Sequence, residues 1–105
     1  MNLLGGPTPP QGGEFQEVLA EGAGVSIRRI VSLGHETPPG EWYDQPEREW
    51  VAVLEGNAVV EFEDGRRVAM WPGQWLDIPA HARHRVAATA ADRPTVWLAI
   101  HFDGS

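Results

Sequence analysis

The chain has no cysteine and no lysine, a single tyrosine and only three serines. Without cysteine there are no disulfides, thiolate nucleophiles or cysteine-based zinc sites, a usage expected of a cytoplasmic protein. Without lysine there is no Schiff-base chemistry. Three serines and no Gly-x-Ser-x-Gly argue against a serine triad. Positive charge is scarce: eight arginines stand against fifteen acidic residues, for a net charge of −7. That excludes nucleic acid and an anionic membrane surface as expected partners. No apolar run approaches the ~18 residues of a membrane span, and Met1 to Gly6 lacks the basic and apolar regions of a signal peptide. Helical stripes with caps, glycine-rich phosphate loops and internal repeats are also missing.

What is present is glycine (12), proline (9) and a period of two. A chain of 105 residues suits one domain with one modest core. Residues 1–13 are rich in Gly and Pro and read as a flexible or arm-like segment preceding a single domain at 14–105. Strands are expected at Phe15–Leu19, Gly24–Leu33, Glu49–Leu54, Ala58–Glu63, Arg67–Trp71, Trp75–Ile78, His84–Thr89 and Thr95–Phe102. Asp64-Gly65 between two alternating runs predicts a type I′ hairpin with positive φ at both residues. Short strands with frequent turns indicate an all-β sandwich or barrel.

Two stretches carry candidate chemistry. If Val51 and Val53 face the core, so does Glu49, and a buried carboxylate requires a partner, a proton or a cation. Tyr43 and Gln45 share its parity. Asp44, adjacent, competes with Gln45 for the inward direction, and Gln45 is preferred. His84 opens a strand on the same face as Val86 and Ala88, which makes it a candidate ligand. His81, three residues earlier in a turn after Pro79, is a candidate second ligand, a supporting donor or an exposed side chain. His101 reads as packed or surface, and His35 as a loop residue. Five tryptophans are many for this length. Trp42 and Trp75 neighbour the two stretches and are expected near a pocket, the others in the core or at an interface.

These residues resemble the cupin superfamily, in its small single-domain form. Glu49, six residues and Gly56 match the end of the family's first motif, and Gly73, Pro79 and His84 match its second. The resemblance spans roughly residues 24–102 and implies a small antiparallel β-barrel or jelly roll, with a homodimer as the usual assembly. The two histidines of the family's first motif fall at Tyr43 and Gln45, and the glycine of Pro-x-Gly is His81. Of the family's three-His, one-Glu metal set only Glu49 and His84 remain.

The expectation is therefore a pocket that binds a small molecule with a divalent metal such as zinc, iron, manganese or nickel. Glu49 and His84 would hold it, with His81 or Gln45 completing the shell and Tyr43 or Asp44 moving a proton. The alternative is a metal-free binding or sensing module without catalysis.

Overall fold

The computed structural model describes residues 1–103, so the last two residues of the expected 14–105 domain lie outside it. Eight strands form: β1 Glu14–Gly22, β2 Val25–Ser32, β3 Arg48–Glu55, β4 Ala58–Phe62, β5 Arg67–Met70, β6 Trp75–Ile78, β7 His84–Thr89 and β8 Thr95–Phe102. No helix occurs among the described residues. A five-stranded sheet has the order β1-β2-β8-β3-β6 and a three-stranded sheet the order β5-β4-β7. Every pairing is antiparallel. Two sheets with free edges make a jelly-roll sandwich and not a closed barrel.

Side-chain alternation explains where the core sits. On β3, Val51 and Val53 point between the sheets and meet Ala99 and Trp97 of β8 across the ladder. From the small sheet come Ala58, Val60 and Phe62 of β4 and Met70 of β5. Val53 is fully buried, and Met70 and Ile78 are 1% and 2% exposed. Each such side chain contributes about 1.5–3 kcal/mol of hydrophobic stabilisation.

One local feature differs from the sequence expectation. The Asp64-Gly65 turn is not type I′: Gly65 has φ of 96°, but Asp64 is not among the residues with positive φ. The Gly65 N–H donates to the Phe62 carbonyl, the Phe62 N–H to the Arg66 carbonyl, and the Arg66 N–H to Asp64 Oδ1. The aspartate carboxylate thus takes up a backbone donor and supports a wider loop. Residues 1–13 form no strand but lie against the large sheet. Pro9 is buried, Arg29 Nε donates to the Leu3 carbonyl at 2.7 Å, and the backbones of Gly12 and Gly13 bond to Leu33.

Candidate functional site

Three strands and one loop deliver a polar centre to the space between the sheets. Glu49, second in β3, stands opposite His101 of β8 and Ile78 of β6. The alternation that buries Val51 and Val53 turns Glu49 inward with them. His84 opens β7 opposite Phe62 of β4. Tyr43, in the loop before β3, forms an isolated bridge with His84. Their backbones exchange hydrogen bonds of 2.7 and 3.2 Å, and the two rings lie 5.6 Å apart.

Glu49 is 9% exposed, and its two carboxylate oxygens have different partners. Oε1 accepts from Gln45 Nε2 at 3.3 Å and lies 3.4 Å from His84 Nε2. Oε2 accepts from His101 Nε2 at 3.1 Å. On the far side of its ring, His84 Nδ1–H donates to the Ala82 carbonyl at 2.8 Å. With Nδ1 protonated, Nε2 carries a proton only when the ring is charged. Burial pushes the Glu49 carboxyl up, but the bonds from His101 and His84 outweigh it and bring its pKa down to about 2. Burial pulls His84 down, and the Glu49 carboxylate and Ala82 carbonyl outweigh that and raise it above the ordinary imidazole value. Carboxylate and imidazole thus each favour the other's charged form. Burial and then the Glu14 carboxylate raise the Tyr43 phenol, so it stays protonated near neutrality.

Around this centre lies a cavity of about 100 Å³. Its polar wall is Glu14, Gln16, Tyr43, Gln45, Glu49, His84 and His101; Ile30, Val51 and Trp97 are among its apolar lining. None of the arginines lines it. A second network supports the wall: Trp97 Nε1 donates to Ser32 Oγ at 3.1 Å, and Ser32 Oγ donates to Glu14 Oε2 at 3.1 Å.

Of the residues singled out in the sequence, Tyr43, Gln45, Glu49 and His84 come together here, and four others do not. His81 is turned to solvent, where its Nδ1 bonds Asp44 Oδ1 at 2.8 Å. Its φ of 62° is the left-handed conformation for which the family motif supplies glycine. Asp44 and Trp42 flank the inward Tyr43, and neither lines the cavity. Trp75 pairs with Ala52, the neighbour of inward Val51 and Val53, and so lies on the outer face. There it stacks on Trp50 at 5.9 Å between centroids and is 59% exposed.

His101, expected to be packed or at the surface, is packed and lines the cavity; Glu14 and Gln16, which the sequence does not single out, line it too. β8 is apolar on both faces, so His101 gave no clue to its direction. Its parity with Trp97 and Ala99 ties it to their stripe, and the pairing of that stripe with inward Val51 and Val53 settles its side.

The donor types at Glu49 (two imidazoles, a carboxylate and an amide) suit a borderline divalent cation such as zinc or iron(II). Their arrangement does not. Among the described residues no three His, Cys, Asp or Glu side chains are grouped so as to hold a metal ion. Glu49 stands between its two imidazoles as a hydrogen-bonded bridge, and His101 Nε2 spends its proton on that bridge.

The cupin-domain family model matches residues 29–101 of the chain. The chain belongs to the cupin family. A crystal structure from Ralstonia eutropha JMP134, provisionally named a mannose-6-phosphate isomerase, is 46% identical to this cupin, with a TM-score of 0.94 over 99% of this chain and 97% of that one. A cupin superfamily protein from Desulfitobacterium hafniense DCB-2 is 20% identical, with a TM-score of 0.76 over 91% and 83% of the two chains. A DMSP lyase from Ruegeria pomeroyi DSS-3 is 18% identical, with a TM-score of 0.73 over 87% and 47%. At those last two identities the likeness is one of fold. No curated protein matches this chain.

Proposed function

We propose that this cupin binds a small polar molecule in the cavity between its sheets, with Glu49, flanked by His84 and His101, as the recognition centre. The supporting observation is the buried carboxylate with a different imidazole on each oxygen, inside a cavity that also presents Tyr43 and Gln45. A polar centre this buried costs folding energy unless satisfied, and its hydrogen-bonding capacity faces a space large enough for a ligand fragment. The arrangement favours binding without a resident metal. Glu49 would accept from a ligand hydroxyl or amino group, His84 in its charged form would donate, and the protonated Tyr43 phenol would donate from the wall. If chemistry follows binding, these groups suit proton transfer to and from a carbon or oxygen acid.

One observation favours the metal-bound reading instead. The Ala82 carbonyl holds His84 Nδ1–H, which leaves Nε2 as a lone-pair donor once the ring is neutral, as second partners do at metal sites. Elemental analysis of protein purified without chelator separates the two. We expect no stoichiometric metal and an unchanged melting temperature with chelator; bound zinc or iron lost in Glu49→Ala and His84→Ala would establish the metal-bound reading. A thermal-shift screen of small polyols, hydroxy acids and sugar phosphates tests the binding itself, since a specific ligand raises the melting temperature by mass action. Mannose 6-phosphate belongs in that screen because of the Ralstonia relative's provisional name. With no arginine in the cavity wall, its phosphate would have to stay outside. We further propose that two copies pair through the outer face of the large sheet, where the stacked Trp50 and Trp75 lie in solvent reach.

A further inference from the structure

The cavity around Glu49 is small, and its size limits what it can hold. An apolar protein cavity of about 150 Å³ accommodates benzene, with its six heavy atoms. A space of about 100 Å³ therefore suits a molecule of about four heavy atoms. A hexose is far larger and could enter only by one end.

The wall is part apolar and part hydrogen-bond acceptor. Ile30, Val51, Val60, Ile78, Val86 and Trp97 line it. Val51 follows Glu49 by two residues on β3, Val86 follows His84 by two on β7, and Ile78 is the partner of Glu49 across the ladder. Alternation thus sets aliphatic surface directly beside the polar centre. At that centre Gln45 spends its amide Nε2 on Glu49, so its amide oxygen is an acceptor. The Ala82 carbonyl holds His84 Nδ1–H, so the neutral ring is an acceptor at Nε2, 3.4 Å from Glu49 Oε1. Glu14 adds a second carboxylate to the wall. The chain has no lysine, and none of its arginines lines the cavity, so the wall draws positive charge only from the imidazoles of His84 and His101. Tyr43 registers the negative potential: burial first, then the Glu14 and Glu49 carboxylates, raise its phenol.

We propose that the ligand is a short primary alkylamine in its ammonium form, with its nitrogen on Glu49 Oε1 and its tail among the aliphatic side chains. An ammonium carries three donors. Glu49 Oε1, the Nε2 lone pair of neutral His84 and the Gln45 amide oxygen are three acceptors at one corner of the carboxylate. The ammonium takes the place of the His84 Nε2 proton, which passes to solvent. An alcohol brings a single donor to the same corner, and a carboxylate meets like charge there. A tail of about three carbons fills the remaining space. The proposal rests on the cavity-binding reading above.

Propylamine, 1-propanol and propionate share a short aliphatic tail and differ in the charge of the head. They are titrated near neutral pH into the full-length chain and followed by NMR of the His101 ring and the Trp97 indole. Propylamine should shift both signals saturably and bind about tenfold or more tightly than 1-propanol, ~1.4 kcal/mol. Propionate should bind more weakly than either. Methylamine, two methylenes shorter, should bind about tenfold more weakly than propylamine, because the tail is buried. Glu49→Gln, which keeps the shape and removes the charge, should erase the advantage of propylamine over 1-propanol, and Glu14→Gln should reduce it by a smaller factor. If 1-propanol or propionate binds as tightly as propylamine, or if the advantage persists in a folded Glu49→Gln, the ammonium is overturned and the cavity reading stands. Methylamine binding as tightly as propylamine would overturn the placement of the tail. If no compound moves either signal, both readings fall.

Discussion

At the scale of single residues, Glu49 and His84 tie stability to pH with opposite signs. The folded pKa of Glu49 is about 2 against an ordinary 4.5, so its contribution is full above about pH 4.5 and is lost as pH falls toward 2. His84 is raised above 6.5, so its contribution is full below about pH 6.5 and is lost as pH rises through the folded value. The pair therefore stabilises most between those limits. The Glu49 contribution is on the order of 3 kcal/mol. Urea unfolding across the acid range should show it disappear, and Glu49→Gln should flatten that part of the profile. His81 yields a second expectation. Valine at its φ of 62° should cost about 1–2 kcal/mol, glycine less than ~1 kcal/mol, and neither should change ligand binding, because the imidazole faces solvent. Glu49 and His84 were legible in the sequence because each shares the parity of an apolar stripe. His101 was not, because strand β8 carries apolar residues on both sides and either stripe could be the buried one.

Among the elements, the turns divide into those that tolerate a side chain and those that do not. Gly56 joins β3 to β4 with φ of 83°, and a Cβ there would lie 2.5 Å from Thr95 Oγ1 and 2.7 Å from the Pro94 carbonyl oxygen. Gly73 has a similar φ of 90° but meets nothing within 4 Å. Gly56→Ala should thus cost roughly 2–4 kcal/mol, strain plus clash, while Gly73→Ala costs only the strain of ~1 kcal/mol. Chemical denaturation of the two variants side by side checks this. All eight strands were visible as alternating runs, to within a few residues at their ends. The Asp64-Gly65 turn was placed correctly and its type was not, because the side chain of Asp64 bonds the Arg66 N–H and supports a longer loop than the dipeptide alone predicts. Trp75 faced the wrong way in the sequence reading for want of a register: only pairing with Ala52 of β3 fixes its side.

For the whole molecule, one core holds both sheets, and the cavity opens inside it. Met70, 1% exposed and not itself part of the cavity wall, should report mainly core packing: Met70→Ala should cost about 2–5 kcal/mol, with ligand affinity in the folded fraction changed far less than by Glu49→Gln. The outer face makes the opposite forecast. Trp75→Glu should leave the fold intact and convert the proposed dimer to monomer, read by light scattering after size exclusion. The strand order has its own bearing on how such a chain is made. β8 follows every other strand in the chain yet runs between β2 and β3, in the middle of the large sheet. A ribosome therefore delivers β2 and β3 as two raw edges with a vacancy between them, and the nascent polypeptide must stay soluble until the seventies and eighties have emerged and the closing strand slides in. Contacts of such long range form late, so a slowed translation or a shortened transcript would leave open ladders prone to pairing between neighbouring chains.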